Sequence, residues 1–478
     1  MLRGTFRRGS PGRKVLGSAL PSSQGDEHLS PFRELLARGP FRTFLTAGAA
    51  SFAAPTSSLV VLLWTIATAY PDTGAGHTAA AYALAFLGLS STIPTLAAAV
   101  FSGTLADRAD RRRLMQEVNL LALFATAAIA FVLYLRPGGV VVGGGGFYAP
   151  VWVLATFPLW AVETTAVTIF RPTFNSSLPR LVGRAELGSA NGLVYASAVG
   201  VLVAGSLTTS AALGWVGPAP ALLLPIALFA LTTVALAVLR ADLAPRRERP
   251  PRRFLSEAAD GYRYLFRRRE LLEITLSALV VNFFSAVAFV ELALYVQVGL
   301  ALSNAVFVGA MLSAGSLGSA VGTLVINRWR FEARAGRFLA AFTLLQGLSV
   351  VGLGLVHSPW LALPIMFLFG VFPGMFTTVF LATIQATVPE DRLGRVLAAD
   401  EVGSYGLVPF GQYAGGVLTA ATSVDATYLV AGAGTVAIGG LMAALPHLRR
   451  LGFTPTDEGA SAPSEGPGAT PVADGPSP

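Results

Sequence analysis

Two carboxylates stand where a carboxylate is expensive. Glu163 and Glu291 each lie inside a long apolar run of this 478-residue chain, Glu163 near the middle of its run and Glu291 toward one end. A charged side chain at a bilayer centre costs roughly 2.5–3.5 kcal/mol or more, so such a residue faces a cavity, carries a proton or bonds to a neighbouring helix. An acid that is neutral in apolar surroundings and charged when wetted suits reversible proton transfer. Two readings stand at each position: proton carrier, or neutral acid hydrogen-bonded to a neighbour.

A second group of charges lies between apolar runs, in Gly103-Thr-Leu-Ala-Asp107-Arg108-Ala-Asp110-Arg111-Arg112-Arg113-Leu114. Gly103 permits close helix packing. Asp107 sets a carboxylate where it can pair with arginine or face a helix amino terminus. A contact made in only one conformation biases the equilibrium between conformations. The rival reading makes these arginines topology determinants alone. Asp400 and Glu401 begin a later run. They either cap that helix through its dipole or pair with Arg108, Arg111 or Arg171 to form a gate network.

These residues need elements to hold them. Apolar stretches of about 20 residues cross a hydrocarbon core as helices. Twelve are expected, near 43–69, 79–104, 115–135, 150–174, 189–213, 219–239, 272–298, 303–326, 338–357, 360–385, 396–420 and 426–446. Of the 34 basic residues all but two sit in the amino-terminal arm, in every second gap or in the tail; Arg171 ends the fourth span, and only Arg136 falls in an odd gap. By the positive-inside rule both termini and all even gaps are cytoplasmic. The expected organisation is an arm over 1–41, a six-helix bundle over 42–239, a linker over 240–271, a second bundle over 272–450 and a disordered tail over 451–478. Within the linker, Phe254, Leu255, Ala258, Tyr262, Leu265 and Phe266 recur at helical spacing among charges, which predicts an amphipathic helix on the membrane surface. The 136–149 gap, with Gly143 to Gly146, reads as a flexible loop.

Composition narrows the function classes. With 53% hydrophobic and 13% charged residues this is a membrane chain. Its net charge of +8 therefore faces anionic lipid headgroups, and nucleic acid is not an expected partner. There is no cysteine, and His28, His77, His357 and His447 are too scattered for a metal, so neither metal nor cofactor is expected. Residues 1–30 lack the apolar stretch of a cleavable signal peptide. An intramembrane enzyme needs a clustered nucleophile or metal dyad, and a sensor needs a soluble output domain; neither is visible. Arginine outnumbers lysine 33 to 1, as in a GC-rich bacterial genome.

The two halves echo each other. Gly103-Thr104-Leu105 recurs as Gly322-Thr323-Leu324, and Asn175-Ser-Ser-Leu-Pro179 with Gly183-Arg184 recurs as Gln385-Ala-Thr-Val-Pro389 with Gly394-Arg395. Gly200 and Gly205 match Gly411 and Gly416 in spacing, as expected for helix-packing glycines. Two parallel six-helix repeats describe a transporter whose halves rock about a site near the midplane.

The loop from Gly103 to Arg112 resembles the signature of the major facilitator superfamily, Gly-x-x-x-Asp-Arg-x-Gly-Arg-Arg, with Asp110 at the second glycine. Together with Phe170-Arg-Pro172, Ala190-Asn191 and Gln385 through Val396, the chain resembles the branch of macrolide-efflux and enterobactin-exporter proteins from about 32 to 450. The resemblance implies an all-α fold of twelve helices and proton-coupled export of small amphipathic, drug- or siderophore-like molecules, working as a monomer in the bacterial cytoplasmic membrane. It also implies that helices one, four, seven and ten line the cavity, which nominates Asn282, Phe283, Phe284, Tyr295, Gln297, Phe376 and Phe380 as substrate contacts. The antiporter motif of helix five keeps only its outer glycines here, so an importer of the same fold stays open as the alternative.

Overall fold

Away from water a chain must satisfy its own backbone polar groups, and the apolar runs do so as helices. The structure is a computed structural model that describes residues 30–142, 148–183, 186–240, 243, 254–329 and 331–452. The spanning helices are α1 Gly39–Ala67, α2 Gly74–Arg108, α3 Arg111–Leu135, α4 Val151–Ser177, α5 Leu187–Val216 and α6 Leu223–Val238 in the first half. The second half has α7 Arg269–Phe289, α8 Val306–Ile326, α9 Ala335–Leu355, α10 Pro359–Thr387, α11 and α12 Val424–Ala444.

Among the described residues eleven helices are long and apolar enough to cross a membrane unbroken. The twelfth, α11, is two pieces, Glu390–Tyr405 and Val408–Ala421. Pro409 explains the break: it has no N–H for the Tyr405 carbonyl, and its ring crowds that carbonyl. The seventh span is also interrupted. After α7 come the short turns Leu292–Leu294 and Tyr295–Gly299, the latter wound as a π-helix.

Glycines knit the second half. A Cβ on Gly318 would lie 2.0 Å from the Phe367 carbonyl oxygen, and one on Gly374 would lie 2.2 Å from that of Ser319, so α8 and α10 meet backbone to backbone. Gly347 on α9 and Gly432 on α12 face each other in the same way.

The two faces of the molecule differ in how the halves meet. On the arginine-poor face one apolar core runs through both halves, joining Val60–Ile66 of α1 and Ala79–Leu87 of α2 to the Val287–Val296 stretch, Val308 and Tyr428. On the arginine-rich face the cores are separate. One holds Phe41, Phe44, Met115, Phe170, Phe174 and Leu236 of the first half alone; another holds Ile326, Leu339, Val379 and Met442 of the second. The halves are therefore shut at the arginine-poor face and parted at the other.

Two local expectations change and a third is extended. The 136–149 gap is partly ordered: β1 Val140–Val142 pairs antiparallel with β2 Tyr148–Pro150, and Arg136, at φ 41, ends α3 with its guanidinium 5.7 Å from the Trp152 ring centroid. Gly143 to Gly146 lie outside the described residues. The linker helix, Phe254–Arg267, forms as expected and also seats one face on the first piece of α11. A Cβ on its Gly261 would come within 2.3 Å of the Arg395 carbonyl oxygen. Its Tyr264 ring takes the Arg268 and Arg392 guanidinium groups at 5.9 and 5.6 Å, while Phe266 stays exposed. Gly200 is not a packing glycine, since a Cβ there would meet nothing within 4 Å. The arm before residue 30 and the tail after 452 lie outside the described residues.

Candidate functional site

The signature loop is built by helix ends. α2 stops at Arg108, and Asp110 opens α3 by accepting the Arg113 N–H at 3.1 Å. The aspartate that replaces the second glycine of the motif is thus an N-cap, a residue type suited to satisfying a free amide at a helix start. Arg111 then donates to the Ser176 carbonyl at 3.0 Å, in the last turn of α4. Arg112 donates through Nε to the Leu236 carbonyl at 2.9 Å and through Nη2 to that of Ala237 at 2.5 Å, in the last turn of α6. Helix carboxyl ends carry unpaired carbonyls and partial negative charge, so a guanidinium is a fitting cap. Nearby, Arg38 binds Glu186 bidentately at 2.7 and 2.8 Å, tying the start of α1 to the start of α5. That hydrogen-bonded guanidinium, helped by the Gly183 N–H, holds the Glu186 carboxyl below its usual range. The side chains of Asp107 and Arg108, and the surroundings of Gly103, lie outside what is described.

On the second half the paired acids part company. Asp400 is buried, accepts the Thr275 and Ser404 hydroxyls and so ties α11 to α7. Asn282 adds to that tie by donating to the Ser404 carbonyl at 3.0 Å. Glu401 instead is exposed and interacts electrostatically with Arg171 of α4, across the parted face. Arg171 also lies 5.5 Å from the Phe52 ring centroid. Of the expected gate residues, Arg171 and Glu401 are the described pair that communicates between halves, whereas Asp400 and Arg112, and Arg111 in its bond to Ser176, serve their own half.

Glu163 is sealed inside the first half, with no exposure. Its Oε2 lies 2.8 Å from Thr126 Oγ1, which lies 2.8 Å from the Ala122 carbonyl oxygen as well. One hydroxyl has one proton. That proton goes to the carboxyl when Glu163 is charged and to the Ala122 carbonyl when a protonated Glu163 donates instead; the helix keeps the Ala122 carbonyl bonded in either case. Ser58 of α1 brings a second hydroxyl to face the same carboxyl. Glu291 is equally buried, at the arginine-poor end, and both its oxygens lack a partner.

The proposed cavity residues do not converge. Phe283 and Phe284 meet edge to face at 5.2 Å, and the Phe284 ring lies where a Cβ on Gly434 of α12 would be. Tyr295 is fully buried, with its hydroxyl 2.8 and 2.9 Å from the Leu353 and Val356 carbonyl oxygens at the end of α9. Gln297 is half-buried, with Oε1 unpartnered. Phe376 and Phe380 stack at 5.8 Å against the second half's own core.

Of the residues that shut the arginine-poor face, sequence reasoning named Gly416 as a packing glycine but missed Gly309, Thr78, Thr92 and Ser313. Gly416 of α11 sits on α2, where a Cβ would be 2.5 Å from Ala85 Cβ and 2.7 Å from the Ala81 carbonyl oxygen. Gly309 of α8 sits on α5, where a Cβ would be 2.2 Å from Ser210 Oγ. Thr92 donates to Gln412 Oε1 at 2.9 Å, Thr78 to the Ala420 carbonyl at 3.5 Å and Ser313 to the Val203 carbonyl at 3.3 Å. Gly411 packs within its own half, on the Phe283 carbonyl, and Gly205 meets Ser57 of α1.

The multidrug efflux pump Tap of Mycobacterium tuberculosis, and that of Mycobacterium bovis, is 25% identical over 434 residues, which cover 87% of this chain and 96% of the relative. Among solved structures the nucleoside transporter NupG matches with a TM-score of 0.66 at 12% identity, over 84% of this chain and 99% of that one. The inward open conformation of the xylose transporter XylE from E. coli matches at 0.63 and 13% identity, over 89% and 98%. At such identities the likeness speaks for the fold alone. The family model described as transmembrane secretion effector matches residues 35–467, and the chain belongs to that family, a multi-pass major facilitator transporter of the efflux branch.

Proposed function

We propose that this transporter exports small amphipathic molecules, drug- or siderophore-like, from the bacterial cytoplasm in exchange for protons, by alternating access between its two six-helix halves. The bundles over 42–239 and 272–450 are the rocking units, joined by the 240–271 linker, and the chain works as a monomer. The arginine-rich face, with both termini, is the cytoplasmic one and rests against anionic lipid headgroups. The observation that carries the reading is the unequal seam: one shared core at the arginine-poor face and separate cores at the other. On this assignment the structure is the inward-open state, ready to load cargo from the cytoplasm. The relatives named as multidrug efflux pumps support the direction and the cargo class.

Glu163 is the proton carrier. Its full burial beside the Thr126 hydroxyl, inside the first half, supports that role. Asn282, Phe283, Phe376 and Phe380 border the path from the second half, whereas Tyr295 and Phe284 hold neighbouring helices in place. Asp107 and Arg108, with Arg171 and Glu401, form the inward latch when the halves close. Purified transporter in vesicles tests this directly. An imposed pH gradient is expected to drive uptake of fluorescent amphipathic dyes into inside-acid vesicles in which the cytoplasmic face points outward. No movement under either gradient overturns proton coupling. Asp107→Asn is expected to shift the inward/outward balance; an unchanged balance removes the latch.

A further inference from the structure

The shut seam between α2 and α11 descends from the arginine-poor face in rungs. Thr78 meets the Ala420 carbonyl, Ala81 and Ala85 meet Gly416, and Gly88 and Thr92 meet Gln412. Gln412 is the last of these rungs, because Pro409 and the break in α11 lie within one turn of it. The second piece of α11, Val408–Ala421, lies along α2, whereas the first, Glu390–Tyr405, packs mainly on the linker helix and α7. Gln412 therefore stands where the seam ends and the parted region begins.

Helical periodicity fixes which way its side chain turns. Gly411 and Gly415 face α7, at the Phe283 and Val287 carbonyls, and Gly416 faces α2. Phe410 and Tyr413 are exposed on the outer side, Tyr413 beside Phe86. At about 100° per residue, Gln412 falls between the α7 and α2 sides and away from the exposed aromatics. Thr92 donates to its Oε1 at 2.9 Å, and its amide carbon lies 2.7 Å from where Gly88 would carry a Cβ. That bond occupies the acceptor of the amide and leaves its donor. Among the described residues Nε2 has no hydrogen-bond partner, and the side chain is only partly buried. One turn along α2, toward the parted region, the buried Thr95 hydroxyl also lacks a partner. These groups are neutral, so they select a hydrogen-bonding atom rather than an ion. An apolar binding site orients its ligand through a few such placed groups.

We propose that Gln412 is a cargo-recognition residue at the end of the shut seam: its Nε2 donates to a carbonyl or ether oxygen of the cargo, and Thr92 is the positioning residue that aims the amide. This rests on the reading that amphipathic cargo loads from the arginine-rich face, and it narrows that cargo to molecules with a neutral acceptor oxygen beside an apolar body. Recognition is thereby coupled to rocking. Thr92 belongs to one half and Gln412 to the other, so parting the seam removes the hydroxyl that aims the amide. The cargo bond weakens as the arginine-poor face opens.

Binding of two cationic dyes to the full-length protein in lipid nanodiscs, with no gradient imposed, tests the assignment. Tetramethylrhodamine ethyl ester offers an ester carbonyl, and ethidium has no oxygen. Gln412→Met, of similar length, is expected to weaken the ester dye about three- to tenfold relative to ethidium. Thr92→Val is expected to shift the same ratio in the same direction by less, and Thr92→Ser to restore it. If Gln412→Met does not elute as a single species, Gln412→Leu is expected to give the same shift. The chain has no native cysteine, so Thr78→Cys with Ala420→Cys and a short thiol cross-linker report the shut seam independently. An unchanged ratio of the two affinities in the Gln412 variant overturns the proposal; if seam cross-linking falls at the same time, the amide is a seam tie alone. The expected binding pattern without dye movement under a pH gradient would count against proton exchange and leave the Gln412 assignment standing.

Discussion

The arginine-poor and arginine-rich faces solve opposite problems. At the first, the halves share apolar surface and small residues: Gly416 on Ala81 and Ala85, Gly309 on Ser206 and Ser210. At the second, each half satisfies its own polar groups. Arg111 and Arg112 cap α4 and α6 within the first half, and the linker helix sits on the first piece of α11 within the second. The difference teaches how a gate can open cheaply. The polar ties described across the shut seam, from Thr92, Thr78 and Ser313, exchange their partners for water when it parts, at a net of about 0.5–1.5 kcal/mol each. The bonds of Arg111 and Arg112 to carbonyls of their own half survive when the halves separate. Apolar contact, by contrast, is non-directional and can be remade.

Breaking the shut seam is expected to have the largest effect. Leucine at Gly309 or Gly416 has no room, and overpacking costs about 1–3 kcal/mol, which shifts the balance between states about five- to 150-fold. Transport is expected to fall at least about tenfold, with Thr78–Ala420 cross-linking lost and the protein still monodisperse. Leucine at Gly200 is the matched control and is expected to be tolerated, because nothing lies within 4 Å of its Cβ position.

Arg112→Ala sharpens the comparison from the other side. Losing two charge-assisted bonds to the end of α6 is expected to cost about 1.5–3 kcal/mol, seen as a lower melting temperature, with little change in the seam cross-linking. A large change in the open-to-shut ratio would mean that Arg112 acts between halves after all. Asp110→Ala, which removes the α3 cap, is expected to cost about 1 kcal/mol, and Asp110→Ser to restore most of it.

The smallest effect belongs to the Arg38–Glu186 pair at the surface. The folded state holds the Glu186 carboxyl below its ordinary range, so the pair's contribution is present above the unfolded value, about 4.3. It fades as pH falls through the lower, folded value. The melting difference between the parent and Glu186→Gln is expected to be visible at neutral pH and to shrink below about pH 4.

Spans and loop charges were legible because both follow directly from residue type: apolar length gives helices, and arginine marks one face. The repeat was legible for the same reason. Other features depend on what a residue meets. Pro409 carried the signal for the break in α11, but a hydropathy pattern runs straight through it. Asp110 has the residue type of an N-cap, yet a motif read against glycine makes it a departure. The two deep acids announced themselves by cost alone. That Glu163 meets Thr126 in one bundle and Glu291 faces Tyr428 in the other is a property of tertiary packing, which no spacing records. Tyr295 suggested a cargo contact by its depth and polarity, but its hydroxyl meets carbonyls at the end of α9, more than 50 residues away in sequence.

Spin labels test the unequal seam most directly. One pair, Thr78→Cys with Ala420→Cys, spans the arginine-poor face, and another, Tyr195→Cys with Leu324→Cys, sits on exposed positions of α5 and α8 toward the arginine-rich face. In lipid at mildly acidic pH without substrate, pulsed distance measurement is expected to give one short distance for the first pair and a long one for the second. A long first distance with a short second one would contradict the account.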